Sequence, residues 1–348
     1  MPTPLDQYTQ TTADWRTTLR RNAFRTRMVI FLFFLIYASL GLLVDMYLAT
    51  NYYPDASLWQ LFHAYITFSL IPYATLVMLG IAAFSLLITY SMYDKLMLLG
   101  TEYHEITPTT AQNVAEQQLY NVVEEMKIAS GLRFMPRVFI IEANYMNAFA
   151  SGYSEKSAMV AITRGLMEKL NREELQAVMA HELSHIRHMD IKLTLTASLL
   201  ANLMIMVLDV FFYNALFASR GSSSNNRSRD NLAVIIMILR YLLPVINILL
   251  ILYLSRTREL MADAGCVELM RDNQPLANAL IKISEDHVNH QAEYSAEYTK
   301  TPHEQVRLES YIYDPSEAGI ASLSTLNDLV ATHPNLQTRL EAIGFKKK

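Results

Sequence analysis

The sequence predicts a mainly α-helical membrane protein, in which hydrophobic helices are joined to a smaller α+β domain with a short sheet. Three observations carry this. Of 348 residues, 52% are hydrophobic, and they gather into four blocks long enough to cross a hydrocarbon layer about 30 Å thick, unlike a soluble core. The polar stretches between and after the blocks show the periodicities of folded helices and strands. One of those helices carries AVMAHELSHIRH at 177–188, three histidines and a glutamate on an apolar background.

Four hydrophobic helices are expected, at 28–50, 64–93, 193–217 and 232–254; the second block has no charged residue, whereas the third and fourth hold Asp209 and Arg240. The polar leader at 1–27 precedes a first block too long for a signal-peptide core, so it is expected to stay attached. Its arginines, Arg16, Arg20, Arg21, Arg25 and Arg27, contrast with a loop at 51–63 whose only charge is Asp55. The excess places the amino terminus and the segment after 93 on the cytoplasmic side. The loop at 218–232 is also basic and, if both flanking blocks span, lies on the far side against that rule. The single cysteine, Cys266, excludes an internal disulfide framework and reads as a small buried apolar residue. A net charge of -4, with no strongly basic patch, removes nucleic acid as a partner.

The expected organisation is a leader (1–27), an apolar hairpin (28–93), the first part of a catalytic domain (94–192), a second hairpin (193–254) and the second part of that domain (255–348). Within the first part, 107–131 reads as a surface helix stopped by Gly131, and 137–143 and 157–163 read as strands. Residues 164–188 return to a helical pattern, with Asn171 as cap and Glu174 as its reciprocal partner. Helical patterns follow at 255–286 and 322–343.

On a helix, His181 and His185 share a face and can aim two imidazoles at one point, with Glu182 beside them. A catalytic zinc needs neutral nitrogen ligands, an open position for water and a carboxylate within reach of that water. A third protein ligand is required, and SRTRELMADAGCVEL at 255–269 is the place to look. There Glu259 could ligate, and Asp263, four residues on, could accept a hydrogen bond from the outer nitrogen of a ligand histidine. Read alone, that pair is more often an exposed helix face. Its position at the end of one apolar block, mirroring HELSH at the start of another, reverses the odds. A depth match across the second hairpin also pairs Asp209 with Arg240, with Asn202 and Asn247 as a second polar layer.

HELSH, RELMAD about seventy residues later, MNAFASGYSEKSAMVAIT upstream and ATHPNLQTRLEAI near the end together resemble the HtpX family of integral-membrane zinc metalloproteases, relatives of the CAAX prenyl endopeptidases. The resemblance implies a cytosolic gluzincin-like domain binding one Zn2+ per chain through His181, His185 and Glu259, with Glu182 as general base and acid and Asp263 behind a ligand. It also implies that His333 and Arg339 stabilise the oxyanion, and that Asn147, Ala148, Phe149 and Ala150 form an edge pairing with an unfolded peptide. His188 and Asp190 are left open. The implied setting is a multi-pass protein of the bacterial plasma membrane, with catalytic domain and termini cytosolic. Its partners would be the lipid bilayer, misfolded or membrane-protein substrates and other membrane proteases. Prenyl-protein processing and a noncatalytic scaffold with a structural metal are the alternatives.

Overall fold

The computed structural model describes residues 4–10, 14–97, 102–152, 154–218, 227–300, 310–320 and 333–347. Strand β1 (Tyr8–Gln10) is followed by helices α1 (Trp15–Ala49), α2 (Leu58–Ile66) and α3 (Tyr73–Met97). Next come β2 (Tyr103–Ile106), α4 (Val114–Ser130), β3 (Arg137–Ile141), β4 (Ala148–Ser151) and β5 (Met159–Thr163). Helices α5 (Arg164–Lys169), α6 (Arg172–His188), α7 (Asp190–Ala218), α8 (Arg227–Met270), α9 (Gln274–Asn289), α10 (Gln291–Lys300) and α11 (Leu336–Ala342) precede β6 (Phe345–Lys347). Internal contacts divide the chain into two units, one of Met1–Thr26, Tyr90–Leu193 and Leu252–Lys348, the other of Arg27–Thr89 and Thr194–Ile251.

The second unit is the membrane part. Among the described residues, three helical stretches are long and apolar enough to cross a bilayer: Trp15–Ala49, Lys192–Asn214 and Asp230–Met270. The expected span at 64–93 is not one continuous helix: the block breaks between α2 and α3, and α3 carries its second part, with Tyr73–Thr89 as the described apolar stretch. Thr67 closes α2 by donating its hydroxyl to His63 O, Phe68 turns with φ +56°, and Pro72 stands just before α3. The open start of α3 is capped by Asp45 of α1, which accepts from Ala74 N at 2.7 Å and from Thr75 N at 2.9 Å. A carboxylate there satisfies amides that would otherwise be stranded and complements the helix dipole. Arg240 Nε donates to Asp209 Oδ1 at 2.7 Å, so the expected pair forms, with Arg240 also lying over the Phe212 ring at 4.4 Å. The expected Asn202–Asn247 layer does not form: Asn202 is exposed, and neither amide atom of the buried Asn247 has a hydrogen-bond partner. Residues 219–226 of the basic loop lie outside the described residues.

The first unit is built on a sheet of order β2-β3-β5-β4, with β3 and β5 parallel and both edges antiparallel. β2 and β4 are strands that the periodicity did not reveal; β4 lies where the pattern alone read as a link and the family resemblance implied an edge. All five β5 residues are buried, consistent with a strand covered on both faces. Helix α4 starts later than its pattern suggested: Thr107–Thr110 forms its own turn, Asn113 caps the helix, and Gly131, at φ +74°, ends it in the left-handed conformation. Cys266 is buried and donates to Ala177 O, which joins α8 to α6.

Candidate metal centre

Helix α6 carries the two histidines because its start is fixed. Asn171 Oδ1 accepts from Glu174 N at 2.9 Å while Glu174 returns a bond to Asn171 N at 3.0 Å. Glu174 also pairs with Lys282 of α9 at 2.7 Å, which anchors the same turn to the domain. Helix α8 approaches α6 closely where it has no side chain: a Cβ on Gly265 would stand 2.5 Å from Ser184 Oγ and 3.0 Å from Ser184 Cβ.

That approach gathers His181, His185 and Glu259 into one cluster. The two Nε2 atoms are 3.1 Å apart, His185 Nε2 is 3.4 Å from Glu259 Oε1, and His181 Nε2 is 3.6 Å from Glu259 Oε2. Ligands about 2.0–2.1 Å from a tetrahedral zinc stand about 3.3 Å from one another, so this donor set fits the ion. Among the described residues it is the group able to hold a metal; His188 is outside it, turned back to Ser184 O at 2.8 Å.

Each histidine has its own carboxylate behind it. His181 Nδ1 lies 3.0 Å from Asp263 Oδ1 and His185 Nδ1 lies 2.8 Å from Asp190 Oδ2. Arg339 clamps Asp263 through Nε at 2.9 Å and Nη2 at 2.6 Å, and Arg258 pairs with Asp190. Sequence reasoning left Asp190 undecided and missed Arg258. The available signal was position: Asp190 opens the helix after α6, which ends at Met189 with φ +53°.

Electrostatics separates the histidines. Burial works against a charge on His181, but Asp263 and Glu259 outweigh it and raise its pKa to about 9. Burial lowers His185 to about 3, with the charges of His181 and Arg258 adding to it against the pull of Glu259. Glu182 is 1% exposed, with no well-aligned hydrogen bond to either oxygen. Burial pushes it up to about 7, against the charges of His181 and Arg339.

The remaining candidates divide. His333 comes to the metal cluster, its Nδ1 3.4 Å from Glu259 Oε2. Arg339 is 3.9 Å from the same oxygen, yet its nitrogens also serve Asp263 and the carbonyl of Ile312. The expected peptide edge is partly occupied by the chain itself. Thr163 N bonds Asn147 O, so alternation along β4 turns the main-chain groups of Phe149 toward β5 and those of Ala148 and Ala150 outward. Ala148 O accepts from Ile312 N, Phe149 pairs with Tyr311, and the Asn147 side chain bonds both Tyr313 N and Tyr313 O. Of the four residues, Ala150 has its backbone amide against Glu182, which leaves its outward carbonyl unclaimed by Tyr311–Tyr313. Behind them Asn147 Nδ2 donates to Tyr298, whose hydroxyl meets His287 Nε2, while His287 Nδ1 meets Ile283 O.

A histidine pair and a glutamate at zinc spacing, with a buried carboxylate beside them and apolar helices of spanning length in the same chain, are the parts of a membrane peptidase. The chain belongs to Peptidase family M48, whose model matches residues 113–345. It is 35% identical to the protease HtpX homolog of Helicobacter pylori J99 over 327 residues, covering 93% of this chain and 96% of that one. The protease HtpX homolog of Bacteroides fragilis is 33% identical over 228 residues, 64% of this chain and 67% of its own. The crystal structure of S. mikatae Ste24p superposes with a TM-score of 0.47 at 19% identity, covering 91% of this chain and 65% of that one.

Proposed function

We propose that the chain is a zinc-dependent endopeptidase of the bacterial plasma membrane, with its catalytic unit and termini cytosolic, that clears misfolded or damaged membrane proteins. The observation that carries this is the convergence of His181, His185 and Glu259 on one point beside a buried Glu182 that no aligned hydrogen bond reaches. A zinc ion held by those three residues would supply Lewis-acid polarisation of the scissile carbonyl and acidify the attacking water. Glu182 takes the proton of that water and returns it to the departing amine, a task suited to a carboxyl raised to about 7. Asp263 and Asp190 hold the outer nitrogens of His181 and His185, which keeps both Nε2 atoms facing the metal.

In this reading Arg339 is a positioning residue that acts through Asp263, and His333 is the group left to meet the developing oxyanion. Substrate is an extended polypeptide whose main chain pairs with the outward carbonyl of Ala150, while Asn147, Ala148 and Phe149 hold Tyr311–Tyr313 in place. The testing experiment counts zinc in the detergent-purified chain, then follows cleavage of casein and of an unfolded membrane protein with chelator present and after zinc is returned. A chain that holds one zinc and cleaves neither substrate would be a scaffold, and the proposal would fail.

A further inference from the structure

A cavity of about 560 Å³ lies in the catalytic unit, bounded among others by Arg25, Tyr253, Arg256, Glu317, His333 and Thr338. Its volume falls within the roughly 300–1,000 Å³ range of small-molecule sites. Arg25 stands three residues before the apolar run of α1 begins at Met28, and Arg256 two residues after the apolar run of α8 ends at Leu254. Both arginines therefore sit within a turn of where a helix leaves the hydrocarbon layer, at about 1.5 Å per residue. Tyr253 is of the residue type that marks that level. Both arginines are half-buried, with apolar stems able to lie along the cavity wall while the heads reach a ligand. Earlier on α1, Arg16, Arg20 and Arg21 are exposed and add positive potential on the same helix.

We infer that this cavity binds the headgroup of an anionic phospholipid, its phosphate between Arg25 and Arg256 and its polar end toward Thr338. Two cations from separate helices at headgroup depth select a phosphodiester without a balancing amine. Glu317 is the acidic side chain of the wall and weakens the site by repulsion.

The test titrates detergent-purified chain, with zinc content and melting temperature checked for each variant, with dioctanoyl-phosphatidylglycerol, dioctanoyl-phosphatidylcholine and glycerol phosphate, reading binding by native mass spectrometry. Saturable binding of the phosphatidylglycerol is expected, about tenfold or more weaker in the Arg25→Gln/Arg256→Gln double variant and severalfold tighter in Glu317→Gln. Equal binding of the two lipids, or unchanged binding in a double variant that keeps its zinc and melting temperature, would overturn the inference. So would glycerol phosphate binding as tightly as the lipid, because the ligand would then be a free phosphate. If the double variant does not fold, the single variants and Glu317→Gln decide by the same criterion.

Discussion

In the catalytic unit, Asp263 touches both Arg339 and His181, Asp190 touches both Arg258 and His185, and the two histidines meet each other and Glu259. In the membrane unit, Asp209 meets Arg240 and Asp45 meets the first amides of α3, with no such chain of buried carboxylates and histidines extending from either contact among the described residues. One unit links buried charges so that each fixes the next, ending at a point where chemistry can occur. The other uses single, local neutralisations that let charge or a broken helix exist inside an apolar layer. Connected charges should therefore fail together, and isolated ones singly.

The largest expected effect breaks the connected set at its reactive end. Glu182→Gln should lower the cleavage rate by roughly 10²–10⁴-fold with zinc content unchanged; a variant that loses its zinc would place Glu182 among the ligands. Next, Asp263→Asn should weaken zinc binding by about 10–100-fold, measured by competition with a chelating dye. Arg339→Met should follow it if the arginine works through Asp263, and the double variant should then lose little more. An effect of Arg339→Met on cleavage alone would return that residue to the oxyanion.

A smaller effect concerns the buried His287, which burial lowers to about 4. Its folded pKa lies below the unfolded value of about 6.5, so its contribution is intact above that value and is lost as pH falls from about 6.5 toward 4. The loss should be about 2 kcal/mol by pH 5, seen as a melting-temperature slope that His287→Gln removes; a slope identical in both chains would show that other groups set it. The smallest effect belongs to the membrane unit. A double-mutant cycle over Asp209→Ala and Arg240→Ala should give a coupling of about 1 kcal/mol, and strict additivity would mean that the contact contributes nothing.

The metal site was readable because its parts are short, local patterns. HELSH and RELMAD each need only helical spacing to present their side chains, and α6 and α8 supply it. The Asp209–Arg240 pair was readable from depth alone, since two helices joined by a short loop align by counting. What escaped depended on contacts that no period encodes. Strand β4 has four buried residues and no polar alternation, so its pattern read as a link and only the family resemblance implied an edge, and the partner of Asn147 and Ala148 arrives from more than 160 residues away. The break in the second apolar block escaped because hydropathy sees continuous apolar side chains, whereas the chain responds to Pro72 and to an Asp45 able to cap a new start.

The missing side chain at position 265 works as a gauge. Donor separations of 3.1–3.6 Å depend on how closely two helices lie, and one methyl group at Gly265 would push against Ser184 and spread them. The consequence is selectivity written in carbon: a wider triangle would suit a larger cation, so the choice among ions that this triangle could hold would rest partly on an atom that is not there.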